Sequence, residues 1–281
     1  MHARFAGLLA AVLVAALSPA VFHAQSAPAA SQAATQEPAL TKEQMREFLL
    51  KAKFLGGKPA GKGTTSPSRV TLSDGVLTHD ASFQGVDVHQ DDIVLADGRR
   101  EMNFVDSYLY NIAAYQVAEL LGLDDMMPVT VERKWQGTGG AVSWWLPVKM
   151  DEESRIKNKV TPPDQNAWFG QMLKMRVFAA LVDDTDRNNG NILYSADWKV
   201  WMIDFTRAFR TAKNLRKPGD LARIERNLWA RIQALDVNEV TKATKGYLNK
   251  FEIQGLMGRR DKMVEIFKQL IATKGEAEVL Y

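Results

Sequence analysis

One stretch of this 281-residue chain concentrates polar side chains at the edge of an apolar segment. Residues 183–205 read DDTDRNNGNILYSADWKVWMIDF, and the first nine of them include three Asp and three Asn. The strand-like part that follows ends in another carboxylate, Asp204. Neighbouring anionic groups repel one another unless a compensating charge is present. The fold must therefore place this segment where a turn, a metal ion or a charged ligand satisfies it.

Composition restricts the class of protein and the chemistry available to it. The chain is 46% hydrophobic and 25% charged, which suits one large domain or two lobes sharing a cleft. Its 36 basic and 33 acidic residues are spread along the sequence without a basic block, which argues against a nucleic-acid partner. The absence of cysteine excludes a disulfide framework, a thiolate nucleophile and a Cys-ligated zinc site.

Histidine chemistry is also sparse. Outside the N-terminal segment only His79 and His89 occur, and the chain contains neither an HExxH nor a GxSxG motif. Hydrolytic triads and zinc sites are thus poor candidates. The remaining chemistry uses carboxylates, amides and a metal ion held by oxygen ligands.

The N-terminus is typical of an export signal. A positively charged start, an apolar run of 13 residues and a small-residue stretch predict a cleaved signal peptide over residues 1–26. Residues 27–40 are rich in Ala, Ser, Gln and Pro, which predicts a flexible leader. We therefore expect a periplasmic or secreted protein that has no membrane contact after signal cleavage and that folds from about Leu40.

The folded part divides into two halves of different pattern. Residues 41–147 contain two predicted hairpins, and between them a helix that begins at Asp106 or Ser107 and stops at Gly122. Residues 148–281 are mainly helical, with apolar periodicity that predicts helices over 166–182, 220–235, 238–250 and 259–273. The Asp/Asn-rich segment interrupts this helical half directly after its first long helix.

Two simple interpretations of the Asp/Asn-rich loop can be considered first. Asp, Asn and Gly are common turn formers, so the loop is compatible with a solvated turn. The spacing of Asp184, Asp186 and Asn188 also copies the start of an EF-hand calcium loop. That motif requires Gly at its sixth position and Glu at its twelfth, where this chain has Asn189 and Ser195. A calcium-binding structural protein is accordingly the weakest of the functional hypotheses.

A third interpretation is phosphoryl transfer. In that chemistry an Asp positions the acceptor hydroxyl, an Asn five residues later holds a metal ion, and a later Asp at the end of a strand holds the metal that bridges the nucleotide phosphates. Asp186, Asn191 and Asp204 fit this pattern. Such a site explains the charge concentration, because a divalent cation with a polyphosphate neutralises the carboxylates.

Several motifs together resemble a known group of enzymes. The loop DRNNGN at 186–191 and the strand end MIDFTRAF at 202–209 are similar to those of atypical kinases with a phosphoinositide-kinase-like or HipA-like catalytic lobe. This group includes the secreted Golgi casein kinases. The stretches GKGTTSPSRVTL, NIAAYQVAELLGL and MPVTVER resemble the small lobe of that group in the same order, so the resemblance covers most of the chain from Leu40.

The resemblance implies a two-lobed, protein-kinase-like α+β fold with a strand-rich N-lobe and a helical C-lobe, in a bacterial exported member of the group. It implies an ATP-dependent phosphotransferase acting on a protein, glycan or small hydroxyl acceptor. By position, Asp186 would be the catalytic residue, and Asn191 and Asp204 would bind Mg²⁺ or Mn²⁺.

The same resemblance assigns the nucleotide site and shows one departure from the family. Trp145 falls where the two lobes join and would line the adenine pocket, whereas a Gly-rich loop would cover the phosphates through Gly61, Gly63, Thr64 and Thr65. The expected Lys/Glu pair of the small lobe is replaced by Gln84 and Asn111, which we predict to face each other. This replacement leaves open the alternative of a pseudokinase that acts as a nucleotide-binding or scaffold module.

Overall fold

A computed structural model describes residues 40–60, 67–94, 98 and 100–281. The predicted signal peptide and residues 27–39 of the predicted leader lie outside the described residues. So do the four predicted phosphate-covering residues: Gly61, Gly63, Thr64 and Thr65. Within the described ranges, no helix is both long enough and apolar enough to cross a membrane.

The amino-terminal half is mostly antiparallel strand. Its elements are α1 (Lys42–Lys51), β1 (Lys53–Pro59), β2 (Ser68–Ser73), β3 (Thr78–Gln84), β4 (Asp87–Val94), β5 (Arg100–Ser107), α2 (Tyr108–Leu121), β6 (Thr130–Trp135) and β7 (Thr138–Trp144). Five of these strands form one sheet in the order β1-β2-β3-β7-β6, and β4 pairs with β5 in a separate two-stranded ribbon. All of these pairings are antiparallel.

The carboxyl-terminal half is mostly helix. Its elements are β8 (Val148–Asp151), α3 (Glu152–Lys157), α4 (Gln165–Val182), β9 (Ile192–Ser195), β10 (Val200–Met202), α5 (Arg226–Ala234), α6 (Val237–Ala243), α7 (Lys250–Lys274) and α8 (Glu276–Val279). Short 3₁₀ turns occur at Asp124–Met126, Asn189–Asn191 and Pro218–Asp220. The strands β8, β9 and β10 form a small antiparallel sheet with β9 in the centre.

The two predicted hairpins are confirmed. In the first, Ser73 of β2 lies opposite Thr78 of β3, and the intervening turn places Gly75 at φ +93°. The Asp74 carboxylate accepts hydrogen bonds from the backbone N–H groups of Val76 and Leu77, at 2.9 and 2.8 Å. This arrangement is typical of an Asp-Gly turn, because Asp bonds to the following backbone and Gly tolerates the left-handed conformation.

The helix α2 connects the two halves of the molecule. The Ser107 hydroxyl caps its first turn by accepting from the Leu109 N–H at 3.3 Å, and Gly122 ends it in the left-handed conformation at φ +65°. Both predicted boundaries are thereby confirmed. Its buried residues include Ile112, Tyr115 and Val117, because the helix contacts β6, β7, α5 and α6. A helix buried on several faces must be apolar around most of its circumference.

Two helices of the carboxyl-terminal half are shorter than the sequence pattern predicts. The helix predicted over 220–235 begins only at Arg226, because the backbone of Ile224 pairs with the C-terminal segment: its N–H donates to Val279 O at 2.9 Å. The helix predicted over 238–250 ends at Ala243, just before Gly246 turns the chain at φ +88°. The hydrophobic periodicity of the sequence carries no information about the tertiary pairing of Ile224, which shortens the first of these helices.

The last long helix is longer than predicted. It begins at Lys250 rather than at residue 259, because Asn249 and Glu252 form a capping box there. The Asn249 side chain accepts from the Glu252 N–H, and the Glu252 carboxylate accepts from the Asn249 N–H at 2.7 Å. Such reciprocal capping satisfies two backbone donors at the helix start.

Candidate functional site

The Asp/Asn-rich loop connects the end of α4 to the central strand β9. The helix ends where Asp183 adopts the left-handed conformation at φ +51°, and the short 3₁₀ turn at Asn189–Asn191 leads into β9. The backbone carbonyl of Asp186 accepts from the Asn188 N–H at 2.8 Å and from the Asn191 side-chain Nδ2 at 3.1 Å. The loop therefore has a defined conformation in which an amide that donates through Nδ2 still offers Oδ1 as a metal ligand.

Arg187 holds this loop against the strand end that carries Asp204. Its guanidinium donates to the backbone carbonyls of Asn191 at 2.8 Å, Ile203 at 2.7 Å and Asp204 at 3.2 Å. It also pairs with the Asp184 carboxylate through Nε at 2.7 Å, and the two side chains are only 10% and 0% exposed. One buried side chain thus fixes the relative positions of the two segments that contain Asp186, Asn191 and Asp204.

Asp204 itself has an unusual backbone conformation. Its φ of +57° lies in the left-handed region, which costs an L-residue roughly 1–2 kcal/mol, although Asp tolerates it better than most residues. Its Oδ1 accepts from the Thr206 hydroxyl at 3.0 Å. Burial raises the pKa of the Asp204 carboxyl, and the nearby Asp106 adds to that rise, whereas the Thr206 hydroxyl and Arg187 oppose it. Strained residues with perturbed carboxylates are characteristic of functional sites.

Helix α2 and the residue before it contact the segment that follows Asp204. Asn111 Oδ1 accepts from the Phe205 N–H at 2.6 Å, and the Ser107 N–H donates to Thr206 O at 2.9 Å. Asn111 therefore lies at the junction of the two halves, and its side-chain oxygen already accepts a hydrogen bond there.

Asp106 is a further candidate site residue, which the sequence suggested only as a helix cap. It is 8% exposed, and its Oδ1 has no hydrogen-bond partner among the described residues. Burial raises its pKa, the Thr206 hydroxyl and the Arg207 charge oppose that rise, and the charge of Asp186 adds to it. Together with the electrostatic influence of Asp106 on Asp204, this places three carboxylates in one electrostatic environment. Ser107, rather than Asp106, is the helix cap.

Gln84 and Trp145 lie in or next to the five-stranded sheet. Gln84 is buried at the end of β3, opposite Ala141 of β7. Trp145 follows β7, where its backbone N–H donates to Asp80 O at 3.2 Å and the Arg69 guanidinium stacks 4.4 Å from its ring centre. The facing of Gln84 and Asn111 across the small lobe stays a prediction, as does the adenine-contacting role of Trp145.

The geometry disfavours the calcium hypothesis. Asp184, the first residue of the EF-hand-like spacing, is fully buried and is occupied by Arg187 and by the Asp186 N–H at 3.1 Å. In the part of the chain that the structure describes, no three His, Cys, Asp or Glu side chains are grouped to hold a metal ion by themselves. A magnesium ion bound by one Asp, one Asn and substrate phosphates does not need such a group.

A cavity of about 1230 Å³ adjoins the loop on the side of the β4–β5 ribbon. Its lining comes from β5, α4, the loop, the segment after Asp204 and the start of α7, and it includes Glu101, Asp184, Arg187, Arg207 and Arg210. The lining therefore mixes charged and apolar side chains, and it reaches the residues on either side of Asp186 without including Asp186 itself.

Comparison with solved structures shows the fold. The structure of hydra Fam20 with sugar matches with a TM-score of 0.64 at 14% identity, covering 85% of this chain and 92% of the other. The Golgi casein kinase structure matches at 0.59 and 11%, covering 85% and 78%. The Helicobacter pylori proinflammatory kinase CtkA matches at 0.51 and 10%, covering 79% and 96%. No protein-family model and no curated protein sequence matches the chain.

These likenesses confirm the predicted fold class. The strand-rich first half with one main helix, followed by the helical second half, is the two-lobed kinase-like α+β architecture of these neighbours. The neighbours are similar in fold, and at 10–14% identity the likeness is one of architecture.

Proposed function

We propose that this protein is an exported, metal-dependent phosphotransferase that moves the γ-phosphate of ATP to a hydroxyl acceptor on a protein, glycan or small molecule. The observation that carries the proposal is the set of Arg187 hydrogen bonds to backbone carbonyls. They join the loop of Asp186 and Asn191 to the strand end of Asp204 within a kinase-like fold. Membership of the group of HipA-like, phosphoinositide-kinase-like and secreted Golgi casein kinases, and export through the signal peptide, belong to the same proposal. We place the lobe boundary between residues 147 and 148, since β8 pairs with β9 of the second half.

The residues present fit ATP with Mg²⁺ or Mn²⁺. Asp204 and the Asn191 amide oxygen would hold the metal ion, and Gln84 and Trp145 would contact the nucleotide, with Gly61, Gly63, Thr64 and Thr65 over its phosphates. A bound divalent cation neutralises charge that develops on the transferring phosphoryl group. Asp186 would orient the acceptor hydroxyl and take its proton as the new oxygen–phosphorus bond forms, while the bond between the γ-phosphorus and the bridging oxygen breaks and ADP leaves. Asn111 would hold Phe205, and hence Asp204, in place through the 2.6 Å hydrogen bond.

The replacement Asp204→Asn tests this function. We expect it to abolish the rise in thermal midpoint that ATP with Mn²⁺ or Mg²⁺ produces in the parent, because a carboxylate ligand is lost. Without ligands the variant should be more stable than the parent at neutral pH. The folded-state pKa of Asp204 is raised, so ionisation opposes folding as the pH increases above 3.8, and Asn removes that cost while keeping the Thr206 hydrogen bond.

A matched control is Asp197→Asn, on the turn between β9 and β10. The Asp197 carboxylate accepts from the Ser195 hydroxyl at 2.5 Å, and this hydrogen bond is the main reason that its pKa is lowered. Its replacement should therefore destabilise slightly at neutral pH and leave the ATP response intact. An unchanged ATP and metal response in folded Asp204→Asn would exclude Asp204 as the metal ligand. Midpoints measured with ATP, Mg²⁺, Mn²⁺ and Ca²⁺, separately and combined, also separate nucleotide binding from calcium binding.

The pseudokinase alternative is favoured by Gln84 and Asn111, which supply no charge pair to the nucleotide phosphates. We predict that Gln84→Lys and Asn111→Glu are coupled favourably by on the order of 1 kcal/mol in a double-mutant cycle of unfolding free energies. Each single change introduces one poorly compensated charge, and the double change restores an ion pair. The double variant should also bind ATP more tightly than the parent, since the new Lys provides a charge-assisted contact.

Strict additivity in that cycle, with no gain in ATP affinity, would mean that residues 84 and 111 do not meet. Nucleotide binding without phosphate transfer in the parent, followed by transfer in the double variant, would establish the pseudokinase alternative instead.

A further inference from the structure

Two largely buried guanidinium groups share one carboxylate next to the loop. Arg207 and Arg210 follow Asp204 on the chain, and both contact Glu101 of β5, at 2.6 and 2.7 Å. The Arg207 contact is a hydrogen bond, whereas the Arg210 contact is an ion pair without hydrogen-bond alignment. Arginine keeps its proton in proteins, so this trio of side chains carries one net positive charge.

Several of the donors in this trio are unsatisfied. Arg207 Nε and the Arg210 atoms Nε and Nη1 are buried without a hydrogen-bond acceptor among the described residues, and Arg210 Nη2 meets only the Glu101 carboxylate at 2.7 Å. The Arg210 side chain is only 10% exposed, and burial lowers its pKa while Glu101 opposes that shift. The Phe104 ring lies 4.9 Å from the Arg207 guanidinium and 5.8 Å from that of Arg210. A purely structural role leaves these donors without acceptors, which is unfavourable in a buried position.

The arginine pair opens onto the large cavity beside the proposed transfer site. Both side chains line it, together with Thr185 and Arg187, which flank Asp186 in sequence. The Thr185 hydroxyl donates to Arg207 O at 2.9 Å, so the arginine segment is fixed directly to the loop. The cavity volume of about 1230 Å³ is larger than the roughly 300–1,000 Å³ of an ordinary small-molecule site, so a small molecule held by the arginine pair would fill only part of it.

We propose that Arg207 and Arg210 bind an oxyanion group of a small acceptor that occupies this cavity and presents its hydroxyl towards Asp186. A phosphate, sulfate or carboxylate group has the planar or forked arrangement of acceptor oxygens that guanidinium donors match. The role of this ligand as acceptor rests on the proposed phosphotransferase function. Oxyanion binding at the arginine pair does not depend on it.

Titration with inorganic phosphate at constant ionic strength tests the site. Calorimetry should detect phosphate binding to the parent, and Arg210→Gln should weaken it by at least about tenfold, because charge-assisted contacts are lost. Glu101→Gln should strengthen phosphate binding, because it removes the carboxylate that competes for both guanidinium groups. Phosphate should also raise the thermal midpoint of Glu101→Gln more than that of the parent, whereas a structural Glu101 would only lower the midpoint.

The control is Arg226→Gln, which removes an exposed arginine paired with Glu276 far along the chain. Equal phosphate affinity in Arg210→Gln and the parent, or no binding to either the parent or Glu101→Gln, would refute the site. If Arg210→Gln does not fold, Arg207→Gln and Glu101→Gln decide the question.

Sulfate and malonate, used in parallel, distinguish the kinds of oxyanion. An acidic peptide that binds more tightly than every small anion, and does so through Arg210, would overturn the small-acceptor assignment.

Asp204→Asn separates this proposal from the proposed function. It should keep phosphate binding at the arginine pair while losing the ATP and metal response. Phosphate binding in a parent protein that does not bind ATP would leave the oxyanion site standing and refute the phosphotransferase. ATP and metal binding without phosphate binding would refute the oxyanion site alone.

Discussion

Asp186→Asn is expected to lower phosphate transfer by about 10²–10⁴-fold while leaving ATP and metal binding unchanged, because a group that accepts the hydroxyl proton acts only in the transfer step. Asn has nearly the same shape, and the hydrogen bonds that involve residue 186 in the loop use its backbone N–H and carbonyl groups. The loop should therefore keep its conformation. The measurement is incorporation of labelled phosphate, with ADP release followed in parallel.

Two further replacements make this result specific. Asp197→Asn, outside the site, should transfer phosphate at the parent rate. Asp106→Asn examines whether its buried carboxylate, with a raised pKa, is the proton acceptor instead. Parent-like transfer by Asp186→Asn, combined with loss of transfer in Asp106→Asn, would move the catalytic role to Asp106.

The elements that carry local signals could be predicted from the sequence. The helix α2 has a Ser at its start, a Gly at its end and an apolar pattern between them, and the structure places its boundaries at those residues. The loop at residues 183–191 and the strand end at Asp204 were recognisable because Asp, Asn and apolar residues occur there at short, regular spacings. Such signals require no knowledge of how distant segments pack.

The contacts that assemble the site depend on tertiary structure and could not be predicted in the same way. In the sequence Arg187 is only one residue of the DRNNGN motif. Its role in joining the loop to the strand end depends on hydrogen bonds to carbonyl groups up to 17 positions away. The proximity of Asp106 to Asp186 and Asp204 needs the end of β5 to meet the loop and the strand end. The shared carboxylate of Glu101 similarly requires the β4–β5 ribbon to contact the segment after Asp204. In each case, long-range packing selects the partner.

Replacing Arg187 by Met should produce the largest loss of stability among the site variants. The change removes three hydrogen bonds to backbone carbonyls and leaves the fully buried Asp184 carboxylate without its counterion. Removing one partner of a buried ion pair typically costs about 3–5 kcal/mol. Urea unfolding should show a loss of this size. Binding of ATP with Mn²⁺ should weaken as well, because the loop and the strand end at Asp204 lose their common anchor.

Arg155→Met is the matched control for the second effect. Arg155 pairs with Glu152 at the same three-residue spacing, with side chains that are 17% and 8% exposed, so its loss should also reduce stability. It does not join the loop to Asp204, and ATP affinity should therefore stay near that of the parent. A second change, Asp184→Asn, should recover part of the stability lost in Arg187→Met, because it neutralises the buried charge. A loss below about 1 kcal/mol in Arg187→Met, or equal effects of both arginine variants on ATP binding, would show that Arg187 does not organise the site.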